Sequence, residues 1–231
     1  MLLFRVIDGR RDSPRRPAVL ATDFKRADRS DLTGCVVRAI ALVEQESNLQ
    51  GQPSTLTMRE LTRDGATDEP LITLVEAGAG QPGRISRWRT AATRFEDKTN
   101  FFPVLGHPEI WRLINLTGDT HPIHVHLDAF QIISRQPAAV EIPEGGITDT
   151  GTSATVRIGQ KADDGIPHSL DENELGLKDT VRVNANEVVD ILVRFETFAG
   201  RYMYHCHILE HEDHDMMRPF VVMPRELMPF M

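Results

Sequence analysis

The histidines of this chain are concentrated in two short segments, and this distribution constrains the fold more than any other feature. Of nine histidines, three lie in HPIHVH (residues 121–126), and four lie with a cysteine within ten residues of HCHILEHEDHDMM (residues 205–217). A solvated loop does not require that density, and a packed core would have to satisfy every imidazole nitrogen with a hydrogen bond. Metal binding is the chemistry that both segments indicate.

In the first segment, the spacing predicts a strand with two imidazoles on one face. Successive side chains of a strand point to opposite faces, so His124 and His126 point the same way while Val125 points the other way. Pro122 is expected to stiffen the entry and to leave His121 offset, free to serve a different site. A single strand histidine is more often structural than a ligand, but three in six residues favour a metal site.

The second segment applies the same alternation to a cysteine between two histidines. His205 and His207 share one face of the predicted strand, and Cys206 faces the other. One strand end can then supply two metal sites placed back to back, which are joined covalently through the backbone of Cys206.

The residues after the cysteine complete a recognisable ligand set. His211 and Met216 are five residues apart on a predicted loop that returns to the side of Cys206. One thiolate, two imidazoles and a distant thioether form a type 1 (blue) copper set, with His121 supplying the second imidazole from a neighbouring strand. Structural zinc is the alternative for a Cys/His cluster. It fits less well, because only one cysteine is present and a methionine at the axial spacing has no place in a zinc site.

Short runs of alternating or β-branched residues recur from about residue 36 onwards. Their number and brevity predict an all-β fold, an antiparallel sandwich or barrel. Residues 138–180 are rich in glycine, proline and acids, with nine Asp+Glu against three Lys+Arg, and are expected to form a long irregular surface loop. The predicted strands are CVVRAIALVEQ, STLTMREL, PLITLVEA, EIWRLINL, HPIHVHLDAFQIISR, TVRVNANEVVDILVRFE and GRYMYHCHI.

The N-terminal region differs from the rest. MLLFRVI suits a strand, and residues 1–30 hold eight Lys+Arg against four Asp+Glu, which is typical of a solvated, extended linker. An orphan strand that leads into a linker suggests the tail of a preceding domain. The segment lacks the features of a signal peptide, so the compartment is not readable, and it would be cytoplasmic if Met1 is the true start.

Composition excludes several classes of function. The net charge of −8 argues against a nucleic-acid binder. No apolar run approaches the length of about 20 residues that spans a bilayer, so no membrane partner is expected. Cys35 is predicted to be a buried free thiol rather than a disulfide partner of Cys206.

The two segments together resemble a known signature. HPIHVH, followed about eighty residues later by HCHILEHEDHDMMRPFVV, is similar to the C-terminal copper-binding signature of multicopper oxidases, closest to the bacterial spore-coat laccase, phenoxazinone synthase and bilirubin oxidase branch. The resemblance covers the third cupredoxin domain, residues 36–231, and implies a Greek-key cupredoxin-like barrel or sandwich. LLFRV resembles the closing strand of the preceding domain, so residues 1–35 are predicted to be a residual strand plus linker.

The resemblance also implies a role for each motif residue. Glu212 matches an acidic residue that delivers protons during oxygen reduction, and His107, His168 and His214 receive no role. The implied copper ligands are His121, Cys206, His211 and Met216 for type 1 copper, His124 for type 2 copper, and His126, His205 and His207 for the type 3 pair.

The implied activity is one-electron oxidation of phenols, aminophenols or aromatic amines at the type 1 copper. Electrons then pass through Cys206 to a trinuclear site that reduces dioxygen to water. That site uses eight histidines in the family, four each from the first and third domains, whereas this chain has nine in total and two belong to the type 1 set. One chain is therefore predicted to leave the trinuclear site incomplete.

Three explanations of this count stay open. The chain is a fragment that lacks N-terminal domains, a separate copper-binding product, or a homo-oligomer in which two copies complete the site. The alternative function is that of a non-catalytic type 1 blue-copper electron-transfer or copper-binding protein. A metal-free structural relic is a further option.

Overall fold

The computed structural model describes residues 9, 15, 23–46, 54–63, 70–78, 81–160 and 168–230. The predicted N-terminal strand MLLFRVI lies outside these residues, and the division of the chain near residue 35 stays a prediction. Part of the predicted linker is described. Arg26 donates hydrogen bonds to the carbonyl oxygens of Ile132 (2.7 Å) and Leu175 (3.0 Å), which holds this segment against the domain.

The described residues form a nearly all-β structure. Its only α-helix in the described ranges is α1 (Leu209–Asp213), and 3-10 turns occur at Glu172–Glu174 and Arg225–Phe230. The strands are β1 (Val36–Gln45), β2 (Thr55–Arg63), β3 (Leu71–Gly78), β4 (Gln81–Ala92), β5 (Pro108–Asn115), β6 (His121–Val125), β7 (Phe130–Glu141), β8 (Ala154–Ile158), β9 (Leu177–Lys178), β10 (Thr180–Val183), β11 (Glu187–Arg194), β12 (Gly200–Cys206) and β13 (Met217–Val222).

Eight of these strands close into a barrel in the order β11-β5-β1-β2-β4-β3-β8-β7, and pairing between β11 and β7 completes the ring. Alternate positions along β1 show how the barrel wall divides the core. Ala39 and Ala41 belong to an apolar cluster with Leu74, Val156 and other residues, whereas Ile40 and Leu42 belong to a second cluster. Because side chains alternate across a strand, the first cluster fills the barrel and the second lies on its outer face.

A separate sheet of four strands, in the order β10-β6-β12-β13, carries both histidine segments. Its inward side chains, among them Val181, Ile123, Tyr204 and Phe220, join the second apolar cluster together with Trp111 of the barrel wall. The sheet is therefore packed on the outside of the barrel. The predicted fold class, an all-β cupredoxin-like barrel or sandwich, is confirmed.

Several strands differ from the sequence-based expectation. The prediction of an irregular loop over residues 138–180 is wrong in part, because β7 continues to Glu141 and β8 supplies a barrel strand. In β8, Ala154, Val156 and Ile158 are buried on alternate positions, a pattern masked by the acidic residues around it. Strands β4 and β13 were not predicted either; β4 is rich in arginine and contributes only a few buried side chains.

Two smaller expectations can also be compared with the structure. Cys35 is a free thiol as predicted, but it is half-buried rather than buried, and its Sγ donates to the carbonyl oxygen of Asp31 at 3.3 Å. No helix in the described residues is long and apolar enough to cross a membrane.

Candidate metal centre

Strand β6 sends its histidines to opposite sides of the four-stranded sheet. His121, Ile123 and Val125 are all buried and face the core between sheet and barrel, whereas His124 is half-buried on the other face. The expectation that Pro122 would leave His121 offset from the strand is therefore wrong. His121 is a regular residue of the strand. It lies three positions before His124, so the alternation of side chains along a strand places the two on opposite faces.

His121, Cys206 and His211 come together on the core side, and we call them the cysteine cluster. The Sγ atom of Cys206 lies 3.8 Å from Nδ1 of His121 and 3.6 Å from Nδ1 of His211. The two Nδ1 atoms are 3.2 Å apart. A first-row ion bound in a trigonal plane, with bonds of about 2.0 Å to nitrogen and about 2.3 Å to sulfur, holds its donor atoms roughly 3.5 to 3.7 Å apart. The three donor atoms therefore fit a bound copper ion.

A hydrogen-bond chain fixes which nitrogen of His121 faces the cluster. Nε2 of His121 lies 2.7 Å from Oγ1 of Thr117, and that hydroxyl donates to Oδ1 of Asn115 at 2.8 Å. Since the hydroxyl proton is used on Asn115, His121 must donate its own proton from Nε2 to Thr117. The lone pair of Nδ1 is then directed toward Cys206 and His211, as a metal ligand requires.

Burial shifts the pKa of two members of the cysteine cluster. Desolvation, assisted by the neighbouring His211, lowers the pKa of His121 from 6.5 to about 4. Desolvation likewise raises the pKa of the Cys206 thiol to about 11. In the metal-free protein both groups are thus neutral near pH 7, and of these two groups only the thiol has to give up a proton to a metal ion.

The segment after Cys206 contains a short helix where a loop was predicted. Helix α1 brings His211 back toward β12, and the backbone N–H of Met216 donates to the carbonyl oxygen of His211 at 2.9 Å. The carbonyl of Met216 in turn accepts from the N–H of Cys206 at 2.9 Å, and the Met216 side chain is fully buried in the same apolar cluster as Cys206. Asp215, between them, has a φ of 84°, a conformation that is uncommon for a residue other than glycine and that often marks functional sites.

On the other face of the sheet, His124, His126 and His205 come together, and we call them the histidine cluster. His124 and His205 are opposite each other in the register of β6 and β12, which explains their proximity. Nε2 of His126 lies 3.1 Å from Nε2 of His205, and one ligand nitrogen from each of the three residues lies within 4.8 Å of the others. His207 is exposed beside them, with its ring centroid 5.5 Å from that of His205 and 5.7 Å from that of His124.

Hydrogen bonds also determine which nitrogens of the histidine cluster can bind a metal. Nδ1 of His124 lies 2.8 Å from the carbonyl oxygen of Asp179, and Nδ1 of His205 lies 3.0 Å from the carbonyl oxygen of Cys206. A carbonyl only accepts, so both Nδ1 atoms carry the proton and both Nε2 atoms are free to bind a metal. Nδ1 of His205 also contacts the carboxylate of Glu212.

The other histidines lie outside both clusters. His107 is exposed on a loop, and His168 lies 3.3 Å from the carboxylate of Glu187. Nδ1 of His214 is buried without a hydrogen-bond partner among the described residues, and nothing in the structure explains it.

Several supporting residues were not found from the sequence. Thr117 and Asn115 orient His121. Their short distance from His121 in the sequence is the signal that could have indicated this role. Where β2, β12 and β13 meet, the fully buried Arg218 and Glu60 form an ion pair at 3.1 Å. Glu60 also accepts a hydrogen bond from the hydroxyl of Tyr204 at 2.9 Å. No sequence pattern indicates that these residues pair.

Comparison with known proteins agrees with this geometry. The family model described as multicopper oxidase matches residues 69–226, more than half of the chain. The chain belongs to the multicopper oxidase family. Membership implies that the chain binds copper, and the predicted family resemblance is confirmed.

Two curated relatives and one solved structure are similar to parts of this chain. A laccase from Bacillus stratosphericus is 43% identical over 119 residues, which are 51% of this chain and 21% of the relative. A laccase from Haloferax volcanii is 44% identical over 121 residues, 52% of this chain and 16% of the relative. A solved multicopper oxidase from Aquifex aeolicus is 24% identical, with a TM-score of 0.47, over 86% of this chain and 31% of its own. This multicopper oxidase chain thus matches about a fifth of the length of these two laccases.

Proposed function

We propose that this multicopper oxidase chain takes electrons from phenolic, aminophenolic or aromatic-amine reductants at a type 1 copper and passes them to a second copper site that reduces dioxygen to water. His121, Cys206, His211 and Met216 would hold the type 1 copper. His124 would hold type 2 copper, and His126, His205 and His207 would hold the type 3 pair. Copper bound in these places supplies the one-electron redox chemistry that amino-acid side chains lack.

The position of Cys206 between the two clusters carries this proposal. Its thiol faces His121 and His211, while the residues on either side of it, His205 and His207, face the other way. The covalent backbone between them is one path for an electron. The hydrogen bond of 3.0 Å from Nδ1 of His205 to the carbonyl oxygen of Cys206 is a second, shorter path.

The protein side chains have distinct tasks in this scheme. His211 is half-buried whereas His121 is fully buried, so the electron enters from a reductant at the His211 edge. Thr117 accepts a hydrogen bond from Nε2 of His121, which leaves Nδ1 unprotonated as the ligand nitrogen. Glu212 contacts Nδ1 of His205 and its side chain is 20% exposed, so it can both orient that imidazole and exchange protons with water for oxygen reduction.

The second copper site needs ligands from outside these residues. The histidine cluster and His207 supply four imidazoles, of which His207 is exposed. The family's site uses twice that number. We propose that further imidazoles come from N-terminal domains of a longer chain or from a second copy in a homo-oligomer.

A two-stage spectroscopic experiment tests the function. The copper-loaded protein, with its copper content per chain and native mass measured, is mixed with an aminophenol without oxygen. Bleaching of the blue colour by one electron per chain is expected, because the type 1 copper accepts the electron. Colour that persists with excess reductant would contradict the proposal.

Readmission of dioxygen separates the oxidase from the alternative function. Rapid recovery of the colour with consumption of dioxygen is the result expected of an oxidase. The alternative, a non-catalytic blue-copper electron-transfer or copper-binding protein, is favoured by the exposure of His207 and predicts bleaching without rapid recovery. That outcome would retain the type 1 assignment and overturn the oxidase.

A further inference from the structure

The chain has two tryptophans and two tyrosines, and one of each meets in the core close to the cysteine cluster. The rings of Trp111 and Tyr204 are fully buried, and their centroids lie 5.2 Å apart in an edge-to-face arrangement. Tyr204 lies two positions before Cys206 on β12, and both side chains belong to the second apolar cluster. Residues two positions apart on a strand share a face and are about 7 Å apart. We call Trp111 and Tyr204 the aromatic pair.

Each member of the aromatic pair donates its polar hydrogen to a carboxylate. The hydroxyl of Tyr204 donates to Oε1 of Glu60 at 2.9 Å. Nε1 of Trp111 donates to Oε2 of Glu109 at 3.1 Å. Both glutamates are buried, so these charge-assisted hydrogen bonds are shielded from water.

The other tyrosine and the other tryptophan lack such partners. Nε1 of Trp88 donates to the hydroxyl of Ser86 at 3.0 Å. Tyr202 is half-buried, and its hydroxyl forms no hydrogen bond with a carboxylate among the described residues. The carboxylate partners therefore distinguish the aromatic pair from the two residues of the same types elsewhere in the fold.

A carboxylate partner eases the one-electron oxidation of a phenol. Loss of an electron makes the phenol strongly acidic, so its proton moves along the existing hydrogen bond to the acceptor. Oε1 of Glu60 accepts from Tyr204, and Oε2 is reserved for two other donors, Arg218 at 3.1 Å and Asn100 at 2.9 Å. After the transfer, Oε1 donates back to the tyrosyl oxygen and Oε2 keeps both donors. No buried polar group then loses its partner.

We propose that Tyr204 is a redox residue, which gives one electron to a strong one-electron oxidant derived from dioxygen. The electron leaves along β12 through Cys206, the hydroxyl proton passes to Glu60, and a neutral tyrosyl radical remains. An electron from Trp111 and the proton from Glu60 then restore the phenol, which leaves the oxidising equivalent on β5, away from the strand of Cys206. An external reductant finally returns one electron to Trp111. The origin of the oxidant rests on the proposed function, whereas the redox activity of Tyr204 does not.

Photochemical oxidation of the copper-loaded protein tests the proposal, with all copper as Cu(II) so that the metal does not supply the electron. The oxidant is tris(bipyridine)ruthenium(III), generated by a laser flash, and transient absorption distinguishes tyrosyl from tryptophan radicals. The variant Tyr202→Phe is the host, because Tyr204 is then its one tyrosine. A tyrosyl radical should form, and roughly twofold more slowly after complete exchange into deuterated water, because the proton moves with the electron. Equal rates in the two solvents would overturn the proposal.

The variant Tyr204→Phe is the matched comparison, because its one tyrosine is Tyr202. It removes only a hydroxyl, and Glu60 keeps both donors on Oε2, so the fold should be retained. The tyrosyl radical of the host should live roughly tenfold longer than that of this variant, because burial excludes water from Tyr204 and Glu60 holds the proton for its return. Equal lifetimes, or a host without a tyrosyl radical, would overturn the proposal.

The transfer from Tyr204 to Trp111 is tested in the same host. Addition of Trp111→Phe should lengthen the life of the tyrosyl radical, because the indole that refills Tyr204 is then absent. Trp88→Phe is the control, since Trp88 belongs to the first apolar cluster, and it should leave the lifetime unchanged. Equal effects of the two substitutions would overturn the transfer to Trp111. Failure of the oxidase proposal is detected separately, as colour that does not recover with dioxygen, because the oxidant in this experiment is added from outside.

Discussion

The Nδ1 atoms of His121 and His211 lie 3.2 Å apart, although the two residues are 90 positions apart in the chain. The proton of His121 is on Nε2, where Thr117 accepts it, so a lone pair of His121 points at the other ring. Cys206 completes the triangle from a third position in the chain. Three converging donor atoms of this kind can hold a metal ion, and membership of the multicopper oxidase family implies copper.

The axial ligand provides the first prediction. Met216→Leu should retain the copper and raise its reduction potential, because the axial thioether bond is long and weak and mainly tunes the potential. Copper content and redox titration of the purified variant measure both quantities. Loss of copper from a folded variant would show instead that Met216 is a primary ligand or that the site is not of type 1.

The hydrogen bond between His121 and Thr117 provides the second prediction. Thr117→Val removes the acceptor that lies 2.7 Å from Nε2 of His121 and should lower copper affinity roughly 10- to 100-fold, as loss of such outer partners usually does. Thr120→Val is the control, since Thr120 is exposed and its hydroxyl donates, among the described residues, only one hydrogen bond, of 3.4 Å, to Asn184. Competition with a copper chelator measures the affinities. Equal affinities in the two variants would exclude this role for Thr117.

The sequence predicted which histidine and cysteine side chains come together better than it predicted the elements that carry them. Strand alternation alone separates Cys206 from His205 and His207, because it depends only on local backbone geometry. Helix α1 escaped prediction because it is five residues long and lacks a side-chain N-cap hydrogen bond. The ion pair of Glu60 and Arg218 depends on tertiary packing between β2 and β13, which no local pattern encodes.

The pH dependence of the metal-free protein is the third prediction. The pKa of His121 is lowered from 6.5 to about 4 by burial, so the unfolded chain binds a proton in this range that the folded protein does not. The free energy of unfolding is therefore highest above pH 6.5 and falls as the pH approaches 4. For this group alone, the fall between pH 7.5 and pH 5 is roughly 2 kcal/mol. Burial also lowers the pKa of His126, which adds to the same trend.

Urea unfolding at a series of pH values measures this effect. The variant His121→Gln should lose the part of the slope that belongs to His121. A wild-type stability that is constant or rises from pH 7.5 to pH 5 would contradict the burial of a neutral imidazole at this position.

The buried ion pair below the site provides the fourth prediction. Glu60→Gln removes the charge that faces Arg218 at 3.1 Å, and both residues are fully buried. An unpaired buried guanidinium is costly, so the variant should lose about 3 to 5 kcal/mol of unfolding free energy. Glu141→Gln removes an exposed carboxylate that pairs with the half-buried Arg157, and it should lose less than about 1 kcal/mol. Equal losses of unfolding free energy in denaturant titrations of the two variants would show that the buried pair stabilises the protein no more than the pair of Glu141 and Arg157.

The visible absorption spectrum of the copper-loaded Cys206→Ser variant tests the type 1 assignment most directly. A thiolate bound to Cu(II) with two imidazoles produces an intense charge-transfer band, so the wild-type protein should be blue and this variant colourless. Cys35→Ser, which alters the other free thiol, should stay as blue as the wild type. A Cys206→Ser protein that retains the blue band, or a copper-loaded wild type that never shows one, would contradict the assignment.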